Sequence, residues 1–147
     1  MNQASILLVE DDANDAELVV RALRQLSIAS DIVVLGDGQT ALDYLFGAGE
    51  YADRDTDTQP QLILLDLNLP GMGGIEVLKR LRENDITRRI PIVILNQTTE
   101  KQDLLDCHNL GVNSYIQKHV SSDDFIETIR QLGMYWMLLN VAPPQGS

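Results

Sequence analysis

Short apolar segments alternate with longer amphipathic ones along this chain. The clearest apolar runs are residues 6–9, 32–35, 62–65 and 92–95, built from Ile, Leu and Val, and a weaker fifth lies at 114–116. Continuous apolar runs of this length, without polar alternation, are typical of strands that are buried on both faces of a parallel sheet. The pattern therefore predicts five such strands.

The segments between these runs have helical periodicity. In 13–26 the apolar side chains recur every three or four positions, with Arg and Glu between them, as in a helix with one buried face. Residues 73–83 repeat the pattern, and helices are also predicted over 38–46, 99–110 and 122–139. Five strand–helix units predict an α/β fold, a flavodoxin-like (βα)5 doubly wound five-stranded parallel sheet of order 2-1-3-4-5.

The length of 147 residues, with 44% hydrophobic and 22% charged residues, is that of one globular domain. We expect a single domain over 1–147 with its core in about 5–139. The polar, acidic stretch 47–60 predicts a flexible surface loop, and 142–147 predicts a disordered tail.

The charge balance narrows the classes of partner. Twenty-two acidic residues against eleven basic ones give a net charge of −11, which disfavours binding to nucleic acid and to anionic membrane surfaces. Five of the basic residues lie within 79–89, which we interpret as a solvated helix face and loop. A single cysteine, and a first segment without the features of a signal peptide, predict a cytoplasmic protein.

Charged and polar residues follow the predicted strands. Glu10 and Asp11 follow the first strand, Asp66 the third, Asn96 the fourth and Lys118 the fifth. In a doubly wound sheet the functional crevice lies outside the carboxyl ends of the strands, so these groups should converge. Crowded carboxylates bind a hard cation such as Mg²⁺ or take up protons. Together with a lysine they suit the transfer of a phosphoryl group to a carboxylate, for which Asp66 is the natural nucleophile.

Any one of these acids taken alone has a simpler interpretation as a solvated residue or a helix cap. Asp12 and Asn14 are both candidates for the N-cap of the first helix. The hypothesis of a functional site depends on all of the residues that follow the strands, because the predicted topology brings them together.

The sequence resembles the receiver domain of two-component response regulators over residues 5 to about 132. The matching segments are 6–12, 62–74, 91–95 and 111–118, and the D-x-N-x-P-G-M-x-G stretch at 66–74 is the most specific of them. The resemblance implies a protein that is a phosphoacceptor in a phosphorelay and not an enzyme.

The resemblance also implies roles for the residues at the strand ends. Asp66 would accept the phosphoryl group from the phosphohistidine of a histidine kinase. Asp11, Asp66 and the backbone oxygen of Asn68 would bind Mg²⁺, and Glu10 would act through water. Lys118 would pair with the phosphoryl oxygens.

The switch positions of the family are only partly matched. Tyr115 would be the switch aromatic residue. Asn96 stands where the family usually has Thr or Ser, so its amide, or Thr98 further along the loop, would have to meet the phosphoryl group. His119 stands where proline usually follows the lysine, which favours a trans peptide bond there.

The C-terminal stretch 132–141 is more apolar than the last helix of a monomer needs, which predicts a homodimer interface. This tail and the loop 47–60 look most like the stand-alone regulators that partner cyanobacterial phytochrome-type kinases, and we expect no output domain. The interface candidates are Met134, Tyr135, Trp136, Leu138 and Leu139.

Three other functions remain as alternatives. A degenerate receiver would act as a constitutive docking or dimerisation module with weakened switching, because of Asn96 and His119. A haloacid-dehalogenase-like phosphatase would need an acid two residues after its nucleophile, where this chain has Asn68. A flavin carrier would need a hydroxyl-rich phosphate loop after the first strand, which the sequence does not have.

Overall fold

Five strands and five helices alternate in the computed structural model, which describes residues 4–26, 30–97, 99–118 and 121–139, with only the backbone described at 4, 30, 138 and 139. A 3-10 turn, Gly49–Tyr51, follows α2, and a π-helical turn, Tyr135–Leu139, continues α5. The elements are β1 (Ala4–Val9), α1 (Ala13–Arg24), β2 (Ser30–Leu35), α2 (Gly38–Phe46), β3 (Leu62–Asp66), α3 (Gly74–Glu83), β4 (Ile92–Asn96), α4 (Lys101–Asn109), β5 (Ser114–Gln117) and α5 (Ser122–Met134).

The strands form one parallel sheet in the order β2-β1-β3-β4-β5. Leu64 of β3 lies at the centre, paired in register with Leu8 of β1 and Val93 of β4. The predicted doubly wound fold is confirmed. The chain runs outward from β1 to β2 and returns to β3 on the other side, so a crevice opens above the ends of β1 and β3. Among the described residues, no helix has the length and apolarity that crossing a bilayer requires.

Both faces of the sheet are buried along its central strands, β1, β3 and β4. The prediction of burial on both faces is wrong for the edge strands β2 and β5, which have a neighbouring strand on one side only and are partly exposed. In β3 every residue is buried, with Leu62 and Leu64 facing one layer and Ile63 and Leu65 the other, because successive side chains of a strand alternate. Helices α1 and α5 cover the first face, and α2, α3 and α4 cover the second. Each such side chain contributes about 1.5–3 kcal/mol of burial free energy, so the strands that lead to the crevice are held rigidly.

The segment predicted as a flexible acidic loop, 47–60, lies on the surface but is tied to α2. Arg54 donates hydrogen bonds to the carbonyl oxygens of Tyr44 (2.8 Å) and Thr58 (2.7 Å), and its guanidinium lies 3.9 Å from the centre of the Tyr44 ring. Gly47 ends α2 with a φ of 68°, in the left-handed region that favours glycine. The flexibility of this loop stays a prediction, and the tail 142–147 lies outside the described residues.

Gly74 allows the start of α3 to lie directly against the backbone of the third strand. A Cβ built on Gly74 would lie 2.5 Å from the carbonyl oxygen of Asp66 and 2.5 Å from the Cα of Leu67. The Gly74 amide donates to the Leu67 carbonyl oxygen at 3.0 Å. The last glycine of the 66–74 motif is therefore required by this close approach.

We expect Gly74→Ala to lower the free energy of unfolding by about 1–3 kcal/mol, because the clash is with backbone that cannot move without displacing Asp66. Urea denaturation measures this change. Gly36→Ala is the control, since a Cβ there meets nothing within 4 Å, and its effect should stay within about 0.5 kcal/mol. Equal stability of the two variants would contradict the packing argument.

Candidate functional site

A polar cleft of about 470 Å³ lies at the carboxyl ends of β1, β3 and β5. Glu10 directly follows β1, Asp66 is the last residue of β3 and Lys118 directly follows β5. Parallel strands in register end at the same edge of a sheet, which brings these three side chains together. The cleft is lined by Glu10, Asp11, Asp12, Ala13, Asn14, Asp15, Asp66, Asn68, Gln97 and Lys118.

The ammonium group of Lys118 is the centre of this cleft. Its Nζ lies 2.6 Å from Glu10 Oε1, 3.0 Å from Asp15 Oδ2 and 3.2 Å from Asp66 Oδ2. The side chain is only 7% exposed. Burial alone would lower the pKa of Lys118, but the hydrogen bonds to Glu10 and Asp15 and the charges of Glu10 and Asp66 raise it overall. The lysine is therefore charged, and all three of its N–H donors have acceptors.

Glu10 and Asp66 are neighbouring buried carboxyl groups. Burial raises the pKa of Glu10 well above its usual range, and the adjacent Asp66 carboxyl raises it further against the lowering effect of Lys118. The Oδ1 atom of Asp66 also accepts a hydrogen bond from the backbone N–H of Asn68, at 3.0 Å. The single positive charge of Lys118 does not balance the negative charge of the carboxyl groups around it, so the cleft favours an additional positive charge.

The donor set fits a divalent cation. Carboxylate oxygens of Glu10, Asp11 and Asp66 all lie within 4.8 Å of one another, and Asp11 is exposed where the others are buried. Hard cations such as Mg²⁺ take oxygen ligands and keep several waters, and an exposed ligand leaves room for those waters. Asn68 also lines the cleft, and the role of its carbonyl oxygen stays a prediction.

Asn96 is hydrogen-bonded away from this cluster. Its Nδ2 donates to the hydroxyl of Tyr115 at 2.9 Å, and its Oδ1 accepts from the backbone N–H of Gln97 at 3.0 Å. Asn96 is buried and Tyr115 half-buried, and burial raises the pKa of Tyr115. The structure thus brings the two predicted switch residues together, but pairs them with each other. Thr98 and His119 lie outside the described residues.

Asp15 belongs to the cleft although the sequence analysis did not select it. Helix α1 starts at the edge of the sheet, and Asp15 lies in its first turn, so its carboxylate reaches Lys118 across 103 residues of sequence. Asp12 is the N-cap, since its Oδ1 accepts from the Asp15 amide at 3.0 Å. The available signal was that a helix beginning at the crevice presents its first-turn side chains to it.

The interface candidates differ in exposure. Tyr135 is 50% exposed, and its ring lies edge-to-face against Trp136 with centroids 4.9 Å apart. Met134 and Trp136 are half-buried and pack against the layer formed by α1 and α5. The side chains of Leu138 and Leu139 lie outside the described part of the structure. Among the three candidates whose side chains the structure describes, Tyr135 is thus the one most available to a partner.

Comparison with known proteins gives consistent results. Residues 6–130 match the family model of the response regulator receiver domain. The response regulator Rcp1 of Synechocystis sp. is 36% identical over 132 residues, which cover 90% of this chain and 88% of Rcp1.

Two solved structures are similar over nearly the whole chain. The crystal structure of the phosphorylated cyanobacterial phytochrome response regulator RcpA has a TM-score of 0.89 at 33% identity, covering 98% of this chain and 100% of RcpA. The structure of the Mn²⁺-bound form of Rcp1 has a TM-score of 0.89 at 34% identity, covering 96% of this chain and 99% of that one.

The sequence match, the sheet order and the acidic cluster at the carboxyl edge agree with one another. The family model begins within β1, spans β2 to β5 and includes most of α5. The chain therefore belongs to the response regulator receiver domain family.

Proposed function

We propose that this protein accepts a phosphoryl group on Asp66 from a histidine kinase, with Mg²⁺, and signals through changed contacts with other proteins. The observation that carries the proposal is the position of the Asp66 carboxylate. It lies at the end of β3, 3.2 Å from the Lys118 ammonium and beside the acidic side chains of Glu10 and Asp11.

The chain's own residues supply most of what the transfer requires. A carboxylate oxygen of Asp66 attacks the phosphorus of a phosphohistidine, the new O–P bond forms as the N–P bond breaks, and the electron pair of that bond stays on the imidazole nitrogen. The backbone N–H of Asn68, 3.0 Å from Asp66 Oδ1, fixes the plane of the carboxylate. Lys118 donates to a phosphoryl oxygen and offsets its charge.

The proposed metal ligands are Asp11, Asp66 and the backbone oxygen of Asn68, with Glu10 acting through water. Bound there, Mg²⁺ would neutralise negative charge that develops on the transferring oxygens. The spacing of the three carboxylates, within 4.8 Å, supports this assignment, and so does the Mn²⁺-bound form of the similar protein Rcp1.

We further propose a phytochrome-like kinase as the donor and a homodimer as the functional form. The first rests on the similarity to RcpA, which is a phytochrome response regulator. The second rests on the continuous apolar sequence of the C-terminal turn, Tyr135–Leu139, in which Tyr135 exposes half of its surface, since contiguous apolar patches on a protein surface mark interfaces.

A second candidate function is favoured by the hydrogen bond between Asn96 and Tyr115. Both polar groups of the Asn96 side chain are occupied, by the Tyr115 hydroxyl and the Gln97 amide. These two bonds fix the orientation of the side chain, so a response of Asn96 to a phosphoryl group on Asp66 would use the second N–H of Nδ2 or would require the side chain to turn. In this candidate the chain is a constitutive docking or dimerisation module with weakened switching.

Phosphorylation is tested with acetyl phosphate and Mg²⁺. We expect one phosphoryl adduct per chain in the intact mass spectrum, because Asp66 is held between Lys118 and the proposed metal ligands. The adduct should be absent from Asp66→Asn and from wild-type protein in EDTA. An adduct on Asp66→Asn, or none on folded wild-type protein with Mg²⁺, would refute the assignment of Asp66.

Lys118→Met should slow adduct formation by at least about tenfold, because the phosphoryl oxygens lose their ammonium partner. It should also lower the free energy of unfolding by about 3–5 kcal/mol, since buried carboxylates lose their counter-charge. Adduct formation is followed by mass spectrometry and stability by urea denaturation. Lys79→Met removes a charge from an exposed position of α3 and should leave both quantities unchanged. Wild-type behaviour of Lys118→Met would argue against its central place in the site.

The two candidate functions predict different behaviour of Tyr115. If the protein is a switching phosphoacceptor, saturation with beryllofluoride and Mg²⁺ should shift the NMR signals of a ¹³C-labelled Tyr115 ring and change the sedimentation of the protein. The ring signals are assigned with Tyr115→Phe. Unchanged ring signals and sedimentation, on a protein that binds beryllofluoride, would favour the docking module.

A further inference from the structure

Asp15 brings a further carboxylate to the site from outside the strand ends. Its Oδ2 lies 3.0 Å from Lys118 Nζ. This distance is longer than that from Nζ to Glu10 (2.6 Å) and shorter than that from Nζ to Asp66 (3.2 Å). The Asp15 side chain is 26% exposed, whereas those of Glu10, Lys118 and Asp66 are at most 7% exposed. Three carboxylates therefore share one ammonium group with three N–H donors.

We propose that Asp15 is a positioning residue that competes with the phosphoryl group for Lys118, and thereby lowers the affinity of the Asp66 site for that group. This inference rests on the proposed function. A phosphoryl oxygen on Asp66 must accept a hydrogen bond from an ammonium group whose donors are all occupied. Asp15 and Glu10 hold two of them, so the phosphoryl group obtains only the donor that now faces Asp66.

The charges lead to the same conclusion. Phosphorylation replaces the single charge of Asp66 by a phosphoryl group of about −1.5 to −2 at neutral pH. The nearby negative charge of Asp15 repels this group, and the repulsion is weakly screened because Glu10, Asp66 and Lys118 are buried. The same charge attracts a divalent cation. Asp15 therefore acts on an anion and on Mg²⁺ in opposite directions.

A structural role for Asp15 gives a different signature. Asp15 lies in the first turn of α1, where an acid stabilises the helix. If this were its whole role, removing its charge would disturb α1 and Asp11 before it, and would weaken the binding of anion and cation alike. Opposite changes in the affinities for anion and cation would thus indicate competition for Lys118, and parallel losses would indicate a structural role.

Asp15→Asn is the informative variant, because the amide keeps the shape of the side chain and its backbone N–H still meets Asp12. Glu17→Gln is the matched control. It removes the same charge from the same helix, at a side chain that is 70% exposed and contacts only Arg21, at 3.4 Å, among the described ion pairs. Titration calorimetry measures the affinity for Mg²⁺ alone and for beryllofluoride in saturating Mg²⁺.

We expect Asp15→Asn to bind beryllofluoride about three- to tenfold more tightly than wild type and Mg²⁺ about two- to threefold more weakly. Glu17→Gln should stay within about twofold of wild type for both probes. A parallel loss of both affinities in Asp15→Asn would overturn the proposal in favour of a structural role. Beryllofluoride affinity equal to that of Glu17→Gln would overturn it as well, while the proposed function would stand. Wild-type protein that binds no beryllofluoride would overturn the proposed function, and this inference with it.

Discussion

The arrangement of this site depends on one buried ammonium group. Lys118 lies within 3.2 Å of carboxylates from three segments of the chain, and without its charge two buried carboxyl groups, Glu10 and Asp66, would face each other unpaired. Removing one partner of a buried ion pair is far more costly than never forming the pair. The lysine thus permits two buried carboxyl groups to lie side by side at the base of the cleft. It does not neutralise the cluster, and the charge that remains is what a divalent cation would offset.

The sheet positions this cluster with little freedom. β1 and β3 are adjacent and β4 lies next to β3, so the residues that end these strands are fixed by backbone pairing and by burial on both faces. Gly74 extends this rigidity to the loop that follows Asp66, because α3 starts against the backbone of Asp66 and Leu67. The Asp66 carboxylate therefore lies on a rigid support, while Asp11 remains at the solvent side of the cleft.

Two neighbouring hydrogen-bond systems meet at the ends of β4 and β5. One is the Lys118 cluster, and the other is the pair formed by Asn96 and Tyr115. The Asn96 side chain is bonded to the Tyr115 hydroxyl and to the backbone N–H of Gln97, and these two bonds fix the orientation of its amide.

Much of the fold and part of the site follow from the sequence by itself. The uninterrupted apolar runs made the five strands and their doubly wound order predictable, and with them the convergence of Glu10, Asp66 and Lys118. They did not show that the edge strands β2 and β5 are only partly buried, because that depends on their place in the sheet. The contact of Asp15 with Lys118 and the pairing of Asn96 with Tyr115 were decided only by the tertiary structure. Periodicity records which side of an element is buried, but a hydrogen bond between side chains 103 or 19 positions apart depends on the angle at which a helix or strand meets its neighbour. That angle is set by packing of the whole domain, which no local pattern contains.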